Sequence, residues 1–218
     1  MSTSIGAVQD RLYSSLSPAV RALAMRGSLR SYRKNTVIVS EGEPGDSTFV
    51  LLQGKVKVYS NNLEGREITF DVVEAGDYFA EAGLDGGPRA ASVMTLEPCL
   101  CSVVARTAFC EHLARKPEFA LELVAHVIRR ARDATRKARE LALLDVYGRV
   151  VSELEGQHGP GAPQAPVTIS PITHQSLASR VGASREMVSR LLKDLERGGY
   201  VDLGIKRITL RRKLPARY

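Results

Sequence analysis

The sequence predicts an α+β chain: an N-terminal antiparallel β-barrel, one long helix, and a C-terminal pair of short helices followed by a two-stranded hairpin. Three observations lead there. After Arg30, short stretches rich in Val, Ile, Phe and Tyr alternate with turns of Gly, Pro, Asn and Asp. Residues 114–144 contain no Gly and only Pro117, as a long helix requires. Positive charge gathers at the end: residues 1–110 hold 11 Lys/Arg against 12 Asp/Glu, whereas residues 170–218 hold 11 against 4. A chain of 218 residues, 44% hydrophobic, is long enough for one large domain or two ordinary ones with a real core.

In chain order, residues 11–30 read as helical, with Leu12, Leu16, Val20, Leu23 and Met25 as apolar positions. Strands are expected at 36–39, 49–52, 55–59, 67–72, 91–96 and 100–104. The turns between them are Glu41-Gly42-Glu43-Pro44-Gly45-Asp46, Gly54, Asn61-Asn62, Gly76-Asp77 and Gly86-Gly87-Pro88. In the long helix, Leu121, Val124, Ile128, Ala131, Thr135, Ala138 and Ala142 alternate in steps of three and four. That narrow seam predicts pairing with a second copy of the helix, and the arginines at 129, 130, 132, 136 and 139 fall outside it. The resulting division is residues 1–113 as barrel domain, 114–144 as dimerisation helix and 145–218 as C-terminal domain. Asp145 precedes a short helix to about residue 154, and a Gly- and Pro-rich loop covers 156–163.

The C-terminal module carries the most specific pattern. Residues 173–180 read as a short helix capped by Thr173, although the Glu or Gln expected three positions on is absent. Gly182 lies in the turn, and Ser184 caps a second helix over 184–196 whose inward stripe is Val188, Leu191, Leu192 and Leu195. Strands at 200–203 and 207–210 follow, joined across Gly204-Ile205-Lys206. Helix, glycine turn, capped helix and hairpin in that order form a winged helix-turn-helix, a module that reads double-stranded DNA. Arg185, Glu186, Ser189 and Arg190 occupy the outward start of the second helix and are the base-reading candidates. Arginine matches guanine O6 and N7 as a fork, and glutamate accepts from the cytosine N4 amine. The alternative for Glu186 and Arg190 is an ordinary i,i+4 surface pair. Thr173, Ser184, Lys206, Arg207 and Arg211, with Arg212 and Lys213 alongside, are candidates for phosphate contact.

Other classes find little support. The chain contains no G-x-x-x-x-G-K-[ST], H-E-x-x-H, G-x-S-x-G or paired CxxC, and its four histidines show no ligand spacing, so neither an enzyme nor a metal site is expected. There is no apolar run of membrane-spanning length and no signal-peptide pattern, and three cysteines suit a reducing compartment, so the expected location is the cytoplasm. Cys99 and Cys101 share one strand face and read as core.

Residues 184–193, Ser-Arg-Glu-Met-Val-Ser-Arg-Leu-Leu-Lys, resemble the recognition helix of the CRP/FNR family of bacterial transcription regulators. The resemblance extends through residues 143–150, similar to the family's hinge, and through the turns at 41–46, 51–56 and 75–79, similar to those of a cyclic-nucleotide-binding barrel. It implies a homodimer, an inverted-repeat operator and RNA polymerase as a partner. In the family's effector cassette a Gly-Glu pair and an Arg-Ser pair grip the nucleotide, and here Ala80-Glu81 and Arg89-Ala90 stand in their places. The loss of a glycine and of a hydroxyl, in a cassette about two residues short, leaves three states open. One is a cyclic mononucleotide on Glu81, Arg89, Ala90 and Thr135; another is cyclic di-GMP meeting the basic helix around Arg129, Arg132 and Arg136; the third is an empty site in which Glu81 and Arg89 pair with each other. The iron-sulfur cluster of other family sensors is not expected, since no cysteine precedes Cys99.

Overall fold

A computed structural model describes residues 12–14, 16–156 and 166–215. They divide into two compact units: the described residues up to Ser60 with Phe70–Ala131, and Asn61–Thr69 with the described residues from Arg132 onward.

The first unit opens with helix α1 (Pro18–Ala24), where Ser17 accepts from the Val20 amide and Pro18 pre-sets the first turn. Its strands are β1 (Ser28–Tyr32), β2 (Val37–Val39), β3 (Ser47–Gln53), β4 (Lys55–Asn61, to Ser60 in this unit), β5 (Glu67–Glu74, from Phe70 in this unit), β6 (Tyr78–Phe79), β7 (Ser92–Thr95) and β8 (Cys99–Ala105), with a 3₁₀ turn over Glu81–Asp85. They form two four-stranded sheets, ordered β1-β8-β3-β6 and β2-β7-β4-β5, the jelly-roll form of the expected barrel. Phe49, Leu51, Val56, Phe79, Val93, Cys99 and Cys101 make one core, in which the rings of Phe49 and Phe79 stack 5.1 Å apart. Val50, Leu52 and Val104 alternate to the other side and pack with Leu23, Phe109 and Phe119. Strand β3 therefore reads as a nearly continuous apolar run because both its faces are covered. Both strand cysteines are core residues, and burial pushes the Cys101 thiol up to about 12.

Two expectations for this unit need correction. The helix expected over 11–30 is interrupted: α1 ends at Ala24 and residues 28–32 pair with β8. Gly27 makes the change of course, because a Cβ there would lie 2.3 Å from Ser102 Oγ and 2.7 Å from Val103 O. The long helix starts at Pro117 and not at 114, since helix α2 (Arg106–Arg115) already occupies that stretch. Proline has no amide to continue a preceding helix but suits the first position of a new one.

Helix α3 (Pro117–Leu143) runs on into the second unit, where helix α4 (Val146–Gly156) follows. Most of the loop expected at 156–163 lies outside the described residues. Then come β9 (Val167–Ile169), α5 (His174–Val181), α6 (Arg185–Arg197), β10 (Val201–Gly204) and β11 (Arg207–Leu210). Tyr147, Val150, Leu154, Leu177, Val188, Leu192, Leu195, Ile208 and Leu210 close one core. The wing has three strands, β10-β11-β9, where the sequence predicts two; β9 is only three residues long and follows a proline-rich stretch. No helix among the described residues is long and apolar enough to cross a membrane.

His112 and His126 are buried in the first unit, and burial lowers the pKa of each below its usual value of 6.5. A lowered folded-state value means that the unfolded chain binds the proton first. Stability is therefore level above pH 6.5 and falls as pH drops through it toward the folded values. Urea midpoints measured between pH 7.5 and 5.5 are expected to decline, and the decline should flatten in a His126→Gln, His112→Gln double variant.

Candidate functional site

The helix-turn-helix is fixed by its caps. Thr173 Oγ1 accepts from the Ser176 amide at 3.0 Å, and Ser176 Oγ accepts from the Thr173 amide at 2.9 Å. A serine thus closes the capping box that the absence of Glu or Gln had put in question. Gly182 takes φ +62° in the turn, and Ser184 accepts from the Met187 amide to start α6. Val188, Leu192 and Leu195 point inward, which leaves Arg185, Glu186, Arg190 and Lys193 exposed. Among the described residues the side chains of Arg185, Glu186 and Arg190 form no ion pair, so the i,i+4 pairing of Glu186 with Arg190 is not made.

Other expected DNA contacts are engaged internally. Ser189 is half-buried, with its hydroxyl 2.8 Å from His174 Nδ1. Burial, then the nearby Arg185 and Lys193, lower the His174 pKa and favour the neutral ring. Nothing in the sequence pairs residues 174 and 189; only the crossing of the two helices does. Arg211 is ion-paired to Asp202 across the wing, and Arg212 lies over the Tyr200 ring at 4.1 Å. Lys206 and Arg207 remain exposed at the wing tip.

A second cluster, in the first unit, surrounds the residues predicted to hold an effector. Glu81 is buried and Arg89 is buried, but they do not pair with each other. Arg89 donates to Ala80 O and to Ser47 O, each at 2.7 Å. Glu81 accepts from Arg130 of α3, at 3.0 and 3.3 Å. The pairing expected for an empty site is thus replaced by two separate partnerships, because a longer-range cation reaches Glu81. Burial is also the first cause of a lowered pKa for Arg89, opposed by Asp46, Glu43 and Glu81. Gly45 and Gly83 let the two loops close over this arginine: a Cβ on Gly45 would lie 2.9 Å from Gly83 Cα. Ala80 takes φ +67°, a conformation that suits glycine better than alanine. Ala90 is exposed, and Thr135 is exposed on the part of α3 that belongs to the second unit.

Arg130 belongs to a polar group that the sequence did not single out. It also approaches Asp71 at 3.7 Å and Tyr78 O at 3.4 Å. One turn earlier, His126 packs on the Tyr78 ring at 4.5 Å and lies 3.6 Å from Asp77. Phe119, His126 and Arg130 form the face of α3 turned to its own unit, in steps of seven and four that a search for apolar seams passes over. The expected seam is on the other side: Leu121, Val124 and Ile128 are 74%, 54% and 45% exposed, and Ala131, Ala138 and Ala142 are exposed too.

In the second unit Arg149 ties the end of α3 to the helix-turn-helix. Its Nη1 donates to Leu144 O at 2.8 Å and its Nε to Val181 O at 2.7 Å. Asp145 accepts from the Gly148 amide and starts α4, and Ser152 bonds Glu140.

Comparison with known proteins adds independent findings. Residues 29–116 match the cyclic nucleotide-binding domain, and residues 139–214 match the Crp-like helix-turn-helix domain. The cAMP-activated global transcriptional regulator Vfr of Pseudomonas aeruginosa is 33% identical over 179 residues, covering 79% of this chain and 84% of Vfr. The cAMP-activated global transcriptional regulator CRP of Haemophilus influenzae is 32% identical over 172 residues, 77% of each chain. Among solved structures, the catabolite activator protein of Thermus thermophilus matches at TM-score 0.53 and 29% identity, covering 92% of this chain and 93% of that one. The c-di-GMP responsive regulator CLP of Xanthomonas campestris shares the fold at TM-score 0.77 and 24% identity, over 88% and 98% of the two chains.

Two substitutions test the cassette. Ala80→Gly relieves the left-handed strain and should raise unfolding free energy by about 1 kcal/mol. Arg130→Ala leaves the Glu81 carboxylate buried without its cation and should lower it by about 1–3 kcal/mol. Adding Glu81→Gln to Arg130→Ala should recover part of that loss. Equilibrium denaturation of the three variants measures all of these.

Proposed function

The chain belongs to the CRP/FNR family of transcription regulators, and from that premise we propose that it works as a homodimer on an inverted-repeat operator, switched by a cyclic mononucleotide. The observation that carries the DNA reading is the free outward face of α6: Arg185, Glu186 and Arg190 are exposed and unpaired among the described residues. Helix N-terminal residues are the ones a helix-turn-helix presents to base edges. Thr173, Ser184, Lys206 and Arg207 meet phosphates beside it, while Arg211 stays with Asp202. Ser189 acts through His174 and is a support for the helix more than a reader of bases.

Dimerisation follows from the exposed seam. Leu121, Val124 and Ile128 would leave a large apolar strip in water, and a second copy of α3 covers it, with Ala131, Ala138 and Ala142 allowing close approach. In this reading residues 1–113 sense the effector, 114–144 join the protomers and 145–218 bind DNA. The partner beyond DNA is RNA polymerase, the place of action is the cytoplasm, and no catalysis is involved. Effector binding sets the separation of the two α6 helices, which productive binding requires to be about 34 Å, one turn of the duplex.

The matched cyclic nucleotide-binding domain and the cAMP-activated relatives support a cyclic mononucleotide. Arg89 donates to the cyclic phosphate of such a ligand and Glu81 accepts from a ribose hydroxyl, with Ala90 lining the site. Both charged groups already have protein partners, so binding must exchange Ala80 O and Ser47 O at Arg89, and Arg130 at Glu81, for ligand atoms.

Calorimetric titration with cyclic AMP, cyclic GMP and cyclic di-GMP is expected to show saturable binding of a mononucleotide, lost in Arg89→Ala. Saturation by cyclic di-GMP alone moves the site to the basic helix around Arg129, Arg132 and Arg136, and no binding by any of the three ends the switch hypothesis. In DNA titrations at one salt concentration, Arg185→Ala is expected to relax preference at one base pair and cost roughly 1–3 kcal/mol. A uniform loss on all sequences makes Arg185 a phosphate contact instead.

A further inference from the structure

The wing tip carries a residue that folding does not need. Strands β10 and β11 pair from Val201↔Leu210 to Gly204↔Arg207, so Ile205 and Lys206 alone make the turn. Two-residue hairpin turns favour Asn, Asp or Gly, and neither Ile205 nor Lys206 is one of these. Lys206 is held at φ +53°, a strained value for any side chain. Ile205 is 94% exposed and adds nothing to the core of its unit. Leu63, also fully exposed in this unit, stands beside Glu64 in a turn of mixed charge. Ile205 is instead followed by two cations, Lys206 and Arg207, both exposed and neither ion-paired among the described residues.

The tip is also held in place. Lys206 O accepts from the Ile172 amide at 3.0 Å, one residue before the Thr173 cap of α5. Strand β11 is pinned on its other edge by β9, with Ile208 opposite Ile169. An apolar tooth beside two cations is thereby fixed to the frame that carries α6.

We propose that Ile205 is a specificity-determining residue: the wing tip enters the minor groove beside each half-site and sets Ile205 against a base step, with Lys206 and Arg207 on the flanking phosphates. A duplex offers both surfaces at that spacing, since apolar side chains partly unstack deformable steps while cations meet the backbone. A membrane or an apolar protein surface matches the tip less well, because one isoleucine buries too little area to hold either alone. The proposal rests on the DNA reading given above. It adds preference for a flexible pyrimidine–purine step at positions that α6 does not reach.

The test uses the full chain and an inverted-repeat duplex that the wild type selects from a randomised pool, with the flanks then changed from TA or CA steps to a stiff A-tract. Binding is read by fluorescence anisotropy over a salt series. Ile205→Ser is expected to weaken binding roughly tenfold on flexible flanks, equivalent to about 1.4 kcal/mol, and far less on the A-tract. The salt slope should stay unchanged because no charge is removed, and Ile205→Leu should retain most of the affinity. Equal binding by wild type and Ile205→Ser on every flank overturns the proposal, and so does a uniform loss with a shallower salt slope. The DNA reading is judged separately by Arg185→Ala: if that variant loses base preference while Ile205→Ser changes nothing, the reading stands and only the wedge falls. If the pool yields no operator, both fall.

Discussion

The carboxylate of Glu81 is taken almost wholly out of water, and a charge so placed needs a cation and hydrogen bonds to offset its lost hydration. Arg130 supplies both, with one nitrogen reaching both carboxylate oxygens. That cation comes from the helix whose opposite face is the exposed seam. The cassette and the helix that carries the seam therefore share one interaction: whatever draws Glu81 away frees a guanidinium on α3. Asp71, the Tyr78 carbonyl and the neighbouring His126 surround the same guanidinium, so its release alters a cluster and not a single bond.

Arg89 shows the same economy of partners. A guanidinium buried among loops would be costly alone, and the carbonyls of Ala80 and Ser47 satisfy its fork. A hydrogen bond to a charged group contributes about 1.5–3 kcal/mol, so a cyclic phosphate must bring a comparable or larger attraction to take their place. Ala80 takes a left-handed φ that glycine adopts without strain. An alanine there costs strain that a glycine would not.

On the output side, burial and pairing sort a large set of cations into two kinds. Arg211, Arg212, Arg149 and Arg180 are tied to protein groups and hold the module together. Arg185, Arg190, Lys206 and Arg207 stay exposed and unpaired among the described residues. Net charge alone does not separate these kinds, and a count of basic residues overstates what is left for a polyanion.

The sequence by itself determined the elements that depend on nearest neighbours along the chain. The helical seam, the glycine turn at 182, the serine cap at 184 and the inward stripe of α6 were all legible, because caps, turns and periodicity act within a few residues. It also determined which side-chain chemistries the chain carries and at which positions. Tertiary structure decided their partners: Glu81 takes Arg130, 49 positions away, over Arg89, and Ser189 meets His174 where two helices cross. It likewise turned residues 28–32 from helix into strand through pairing with residues 99–103. Electrostatic and hydrogen-bond partners are set by proximity in space after the backbone has closed, and no local pattern encodes that proximity.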